Sequence, residues 1–123
     1  MAQDGEPKHR VSTEEVDRHV RIVFNGVTVA DSKRPILLTE SPLTPVYYFP
    51  RDDVRMDLMG RTSHKTHCPF KGNAAYWSLS VGDRTVENTV WSYEDPIEES
   101  GAIKGHLAFY LDRLGVTYDE GDG

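Results

Sequence analysis

The stretch VRIVFNGVTVA, residues 20–30, decides the fold class of this chain. Two runs of β-branched and aromatic residues flank Asn25-Gly26. An Asn-Gly pair between two such runs is the strongest short-range signal for a β-hairpin, because both central residues of a type I′ turn need a positive φ. The stretch therefore predicts two antiparallel strands joined by a tight turn.

A second hairpin is predicted over residues 75–91. Alternation with period 2, typical of a strand with one buried face, places four residues on one side: Ala75, Trp77, Leu79 and Val81. Gly82-Asp83 forms the turn, and residues 84–91 form the returning strand. Shorter strands are predicted over residues 36–39, 46–49 and 116–118, and an edge strand over residues 61–67.

Residues 97–114 are predicted to form one long α-helix. Apolar residues recur there at three- and four-residue spacing, namely Ile103, Leu107, Tyr110, Leu111 and Leu114. Gly115 suits the position after a helix end. Together these elements predict a mainly β protein, a small antiparallel sheet assembly with one α-helix in its C-terminal half packed across it.

The 123 residues are expected to form a single β-rich domain over residues 18–118. Residues 1–17 are polar and charged, and we expect a flexible tail in which a capping box at Ser12 and Glu15 favours one helical turn. Residues 119–123 are expected to form an acidic C-terminal tail.

Composition excludes some classes of partner. The formal net charge is -6, whereas nucleic-acid-binding domains carry a basic face, so we expect no nucleic-acid partner. No apolar run approaches the ~20 residues of a membrane span, and the first ten residues lack the apolar stretch of a secretory signal. A single cysteine, Cys68, permits no intramolecular disulfide. These features predict a cytoplasmic protein without a membrane partner.

The densest group of reactive side chains is HKTHCPFK, residues 64–71. A nucleophilic thiol needs a nearby base or cation to lower its pKa, and His67 and Lys71 are candidates to act on Cys68. Neighbouring residues of a strand point to opposite faces, however, and a lone cysteine before a proline is commonly a small core residue. Both interpretations of Cys68 stay open. A zinc site is not expected, because a closed site wants four ligands and the second pair is missing.

Aromatic residues suggest a second kind of site. Alternation sends Tyr47 and Tyr48 to opposite faces, and it separates Tyr76 from Trp77 in the same way. The residues that do not fill the core would line a small-molecule pocket with apolar walls and polar tips. We expect its ligand-binding residues to be Tyr47, Lys71, Gly72, Tyr76, Trp91 and Tyr93, with Lys71-Gly72 as an anion anchor.

The order and spacing of five blocks resemble domain-of-unknown-function family 427. The blocks are Asn25-Gly26 with Ala30-Asp31-Ser32, residues 46–50 with Asp53-Val54, residues 66–72, residues 76–78, and Asn88 with residues 91–93 and Pro96. The resemblance implies a β-tent, in which two small antiparallel sheets meet at an angle.

Some collections give this family a nucleotidyltransferase-like name. Such enzymes need a Gly-Ser turn followed by paired carboxylates, D-x-D or D-x-E, to hold magnesium. The nearest group in this chain is Asp52-Asp53 with Asp57, and no Gly-Ser precedes it.

Three functions follow as hypotheses. The first is binding of a small molecule, either neutral or anionic, in an aromatic-lined pocket. The second is an enzyme of unspecified reaction class that uses Cys68, His67 and Lys71. The third is a protein-interaction adaptor, which needs an exposed apolar patch. The sequence assigns no cofactor and no oligomeric state.

We predict that the purified protein contains no stoichiometric zinc, because the His64-to-Cys68 segment supplies too few ligands for a closed site. Elemental analysis measures this directly. About one zinc ion per chain, lost on His67→Ala substitution, would contradict the prediction.

Overall fold

Strands dominate the computed structural model, which describes residues 10–41, 43–110 and 118–121. The ten strands are β1 (Arg10–Glu15), β2 (His19–Phe24), β3 (Val27–Ser32), β4 (Ile36–Ser41), β5 (Val46–Tyr48), β6 (Met59–Cys68), β7 (Gly72–Val81), β8 (Arg84–Ser92), β9 (Ala108–Phe109) and β10 (Tyr118–Gly121). Three short 3-10 segments accompany them, at Arg51–Asp53, Met56–Leu58 and Glu98–Ile103.

The strands form three antiparallel sheets, with the orders β1-β4-β5, β10-β2-β3 and β6-β7-β8-β9. The mainly β prediction is therefore confirmed. Two isolated bridges add backbone links between elements, Ala30 with Val54 and Phe49 with Leu107.

Both predicted hairpins are present. Asn25 and Gly26 have φ values of 52° and 82°, as a type I′ turn requires, and they join β2 to β3. Gly82 has a φ of 62° in the turn between β7 and β8. The Asn25 side chain donates a hydrogen bond of 2.9 Å to the Val81 carbonyl, which ties one hairpin tip to the other.

Strand β7 is buried on both faces along residues 74–77, whereas Asn73 and Ser80 are exposed. Its four predicted inward residues lie in the larger core, where the partners from β2 and β3 are Val20, Ile22, Phe24, Val29 and Ala30. The opposite face supplies Ala74 and Tyr76 to a second core, which Ile36 and Leu38 complete from β4. The middle of β7 therefore contacts both cores, since residues 74–77 point alternately into one core and the other.

Strand β5 divides its side chains between the same two cores. Tyr47 belongs to the larger core, as does Phe49 directly after the strand, whereas Tyr48 belongs to the second. The Phe49 ring meets Phe109 edge to face with centroids 5.8 Å apart, a geometry favoured by ring quadrupoles. The predicted separation of Tyr47 from Tyr48 is confirmed.

The predicted α-helix over residues 97–114 is wrong for the part that the structure describes. Glu98–Ile103 forms 3-10 turns with a kink at Ser100, and Ala108–Phe109 is a strand. Gly105 adopts a φ of +73°, which favours glycine and ends the turns. The apolar spacing instead serves a strand, because Phe109 faces the larger core and Ala108 the second. Leu111 and Leu114 lie outside the described residues.

Pairing extends into both expected tails. Arg10–Glu15, within the expected N-terminal tail, pairs along β4 as strand β1 instead of forming a helical turn. Asp119, Glu120 and Gly121, within the expected acidic tail, pair with β2. Residues 1–9 and 122–123 lie outside the described residues.

Gly72 occupies a backbone conformation that only glycine adopts readily. Its φ is +115°, and a Cβ added there would lie 3.3 Å from the Pro96 Cα atom. We predict that Gly72→Ala lowers the free energy of unfolding by about 1–3 kcal/mol through backbone strain. Urea unfolding of the variant measures this change.

Gly60→Ala is the matched control, since Gly60 is also a strand glycine, but no atom of the described residues lies within 4 Å of a Cβ added there. We expect it to change the unfolding free energy by less than about 0.5 kcal/mol. Equal effects of the two substitutions would show that the Gly72 conformation carries no strain.

Candidate functional site

Lys71 is placed by a tight turn at the end of the edge strand β6. Its backbone N–H donates a hydrogen bond of 3.1 Å to the Cys68 carbonyl, and its own carbonyl accepts one of 3.0 Å from Ile97. These two hydrogen bonds hold the backbone of Lys71 in place at its N–H and at its carbonyl group. The side chain then runs into the second core instead of into solvent, and the whole residue is only 9% exposed.

Glu40 meets Lys71 from strand β4. Because β4 alternates, Glu40 shares the inward face with Ile36 and Leu38, and it is buried. The Lys71 ammonium donates a hydrogen bond to the Glu40 carboxylate, and the two groups form a buried ion pair. A buried charge is tolerated only with such a partner, since desolvation of an unpaired ion is costly.

Aromatic rings surround this ion pair. The Lys71 ammonium lies 5.8 Å from the centroid of the Tyr93 ring, within the range of a cation–π interaction. Trp91 donates its indole N–H to the Tyr48 hydroxyl at 3.1 Å. Its ring also contacts Tyr110, with centroids 4.4 Å apart. The rings therefore hold one another in place through edge, face and hydrogen-bond contacts.

Burial raises the pKa of both Tyr48 and Tyr93 well above the ordinary value for tyrosine. The negative charge of Glu40 also raises the pKa of each phenol. Both hydroxyls consequently stay protonated at neutral pH and remain hydrogen-bond donors.

These groups line a pocket of about 260 Å³, here called the aromatic pocket. Its lining consists of Leu38, Glu40, Leu43, Thr44, Val46, Tyr48, Lys71, Tyr76, Trp91, Tyr93 and Tyr110. Mostly apolar walls with a few converging polar groups are typical of a small-molecule site.

The structure brings four of the predicted ligand-binding residues together at this pocket: Lys71, Tyr76, Trp91 and Tyr93. Tyr47 lies elsewhere, in the larger core, where its hydroxyl accepts a hydrogen bond of 2.5 Å from Arg18. Gly72 starts strand β7 and packs against Pro96. Its role is to let the chain turn beside Lys71.

The three residues considered for catalysis lie in different surroundings. Cys68 is half-buried and packs against the second core. His67 is exposed, and its ring is hydrogen-bonded to the Asn73 side chain at 2.7 Å. Within the described part of the chain, no hydrogen bond joins the Cys68 thiol to His67 or Lys71. The Lys71 ammonium is instead paired with the Glu40 carboxylate.

His67 borders a second concavity, the polar cleft, of about 560 Å³. One end of this cleft is held by Glu94, whose carboxylate pairs with Arg61 at 2.9 Å and with Arg51 at 3.3 Å. The hydrogen bonds from Arg61 lower the pKa of Glu94. These charges are paired and open to water, where an ion pair contributes little.

Sequence reasoning missed Glu40, Tyr48 and Tyr110. One signal for Glu40 was available, because it continues the alternation of Ile36 and Leu38 and so falls on a buried face. No comparable signal pointed to Tyr48, since alternation divides the tyrosine pair without saying which face borders a pocket. Tyr110 was assigned to a helix that does not form.

We predict that Lys71→Met destabilises the protein by about 3–5 kcal/mol, because it leaves the Glu40 carboxylate buried without its cation. The double variant Lys71→Met/Glu40→Met should recover most of that loss, since it removes both charges. Urea unfolding of both single variants and the double variant measures the coupling. A loss below about 1 kcal/mol for Lys71→Met, with additive effects in the double variant, would mean that the pair is solvated in solution.

Among the described residues, no three metal-binding side chains come together in a way that could hold an ion. Asp57 belongs to the acidic group that lies nearest to a nucleotidyltransferase pattern. Its carboxylate accepts two hydrogen bonds, of 2.8 and 2.9 Å, from the Arg55 guanidinium. Nor does the described part of the chain contain a helix long and apolar enough to cross a membrane.

Comparison with known proteins gives a family and no characterised relative. No curated protein matches the chain. Residues 12–120 match NTP_transf_9, which is described as a domain of unknown function, DUF427. This match covers nearly all of the strands, so the chain belongs to the DUF427 family.

Proposed function

We propose that this domain binds a small molecule in the aromatic pocket. The observation that carries the proposal is the Lys71–Glu40 ion pair, buried at a pocket whose walls are aromatic. An apolar pair of similar volume would serve stability as well or better, because both charges lose their hydration. Polar groups kept at such a place are the usual means of orienting a ligand.

The pocket sets the size of the ligand. Drug-sized molecules occupy cavities of about 300–1,000 Å³. The aromatic pocket, at about 260 Å³, falls just below that range. A molecule built on one ring fits this volume, and it would contact the ring faces that line the walls.

Binding is favoured over catalysis by the positions of the reactive groups. A thiol nucleophile requires its base within hydrogen-bond reach. Cys68 and His67 are consecutive on strand β6, where side chains alternate between faces. A cytoplasmic location stays a prediction from the composition.

The test follows the two indole N–H signals of ¹⁵N-labelled protein during titration with phenol, benzyl alcohol, benzamide and benzoate. Trp91 lines the pocket and donates to Tyr48, so its signal should move with a saturating dose response for at least one probe. Trp77 lies in the larger core and should stay in place as an internal control.

Two tryptophan substitutions on exposed threonines provide matched variants. Thr44→Trp fills the pocket from its rim and should weaken binding by about tenfold or more. Thr39→Trp, on the outward side of β4, should leave binding unchanged. Failure of all four probes to move the Trp91 signal at millimolar concentration would refute the proposal, as would equal effects of the two variants.

A further inference from the structure

We infer that the ligand of the aromatic pocket is uncharged and is recognised through a carbonyl-type oxygen, not through a negative charge. This inference rests on the proposed function and specifies the chemical class of its ligand. It replaces the interpretation of Lys71 as an anion anchor with one in which the lysine acts as a neutralised hydrogen-bond donor.

The buried ion pair disfavours an anionic ligand. Glu40 bonds directly to the Lys71 ammonium inside the second core, so the pair presents no net charge to the pocket. An anionic ligand would lose its hydration on entry and would also meet the Glu40 carboxylate at close range. Burying a charge without net compensation is strongly unfavourable, so an anion is the poorer ligand.

The residues that line the pocket supply hydrogen-bond donors. An ammonium has three N–H groups, and Lys71 uses one of them on Glu40. The Tyr48 oxygen accepts from Trp91, and within the described part of the chain its own proton has no acceptor. The Tyr93 hydroxyl makes no hydrogen bond to another described residue, and its ring borders the pocket.

Burial keeps the tyrosine donors protonated. It raises the pKa of Tyr48 and Tyr93, so both phenols are O–H donors at neutral pH. Donors on three residues of the pocket lining, Tyr48, Lys71 and Tyr93, suit a ligand oxygen that accepts through its lone pairs, such as that of an amide, ketone or aldehyde. The apolar walls suit an aromatic body attached to it.

The test compares benzamide with benzoate, which share one ring and nearly one shape but differ in charge. We expect the Trp91 indole signal to report a dissociation constant for benzamide at least about tenfold lower than for benzoate. Benzamide binding should also be insensitive to salt between low and high ionic strength, because no net charge is recognised.

Glu40→Gln is the diagnostic variant, because it keeps the shape of Glu40 and uncovers the Lys71 charge. It should shift the preference toward benzoate by about tenfold or more. Asp31→Asn, which removes an exposed carboxylate paired with His19 outside the pocket, is the control and should change neither constant.

The outcomes separate the two proposals. Tighter binding of benzoate than of benzamide by the wild-type protein would overturn the inference of an uncharged ligand while leaving the aromatic pocket as a binding site. Unresponsive Trp91 with all four probes would overturn the binding function itself. The comparison of benzamide with benzoate on the wild-type protein tests the inference even if the Glu40→Gln variant does not fold.

Discussion

The double burial of strand β7 is the constraint on which the other elements depend. A strand exposes alternate side chains on two faces, and here both faces are covered: Trp77 and Leu79 enter the larger core while Tyr76 enters the second. Each core needs its own covering elements. The β2–β3 hairpin supplies one cover and strand β4 the other, and β5 contributes to both through Tyr47 and Tyr48.

The second core differs from the larger one in that it includes an ion pair. Lys71 enters it from the turn before β7, and Glu40 enters from β4. Neither group could be buried alone, because the desolvation of one unpaired charge exceeds the stabilisation that a small core offers. The polar pair interrupts the apolar packing, and the aromatic pocket lies at that interruption. The site is therefore a consequence of how the second core is closed.

The turn between β6 and β7 also explains why its reactive residues separate. It directs Lys71 inward and leaves Cys68 half-buried at the margin of the second core, while strand alternation turns His67 outward to the polar cleft. The Cys68 thiol, the His67 ring and the Lys71 ammonium are thus close in sequence but lie in different surroundings. The same geometry that gives Lys71 a buried partner removes it as a cation for activating the thiol.

The sequence by itself determined the features that depend on local chemistry. Asn25-Gly26 specified a turn because few residues tolerate positive φ, and period-2 alternation specified which side of residues 75–81 is buried. Tertiary structure decided the rest. The spacing of Ile103, Leu107 and Tyr110 fits a helix equally well, and only packing on both sides of β9 made part of it a strand. Glu40 and Lys71 are 31 positions apart, and no local signal pairs them. Their contact exists because strand β4 packs against β7 beside the turn that carries Lys71, which is a property of the whole fold.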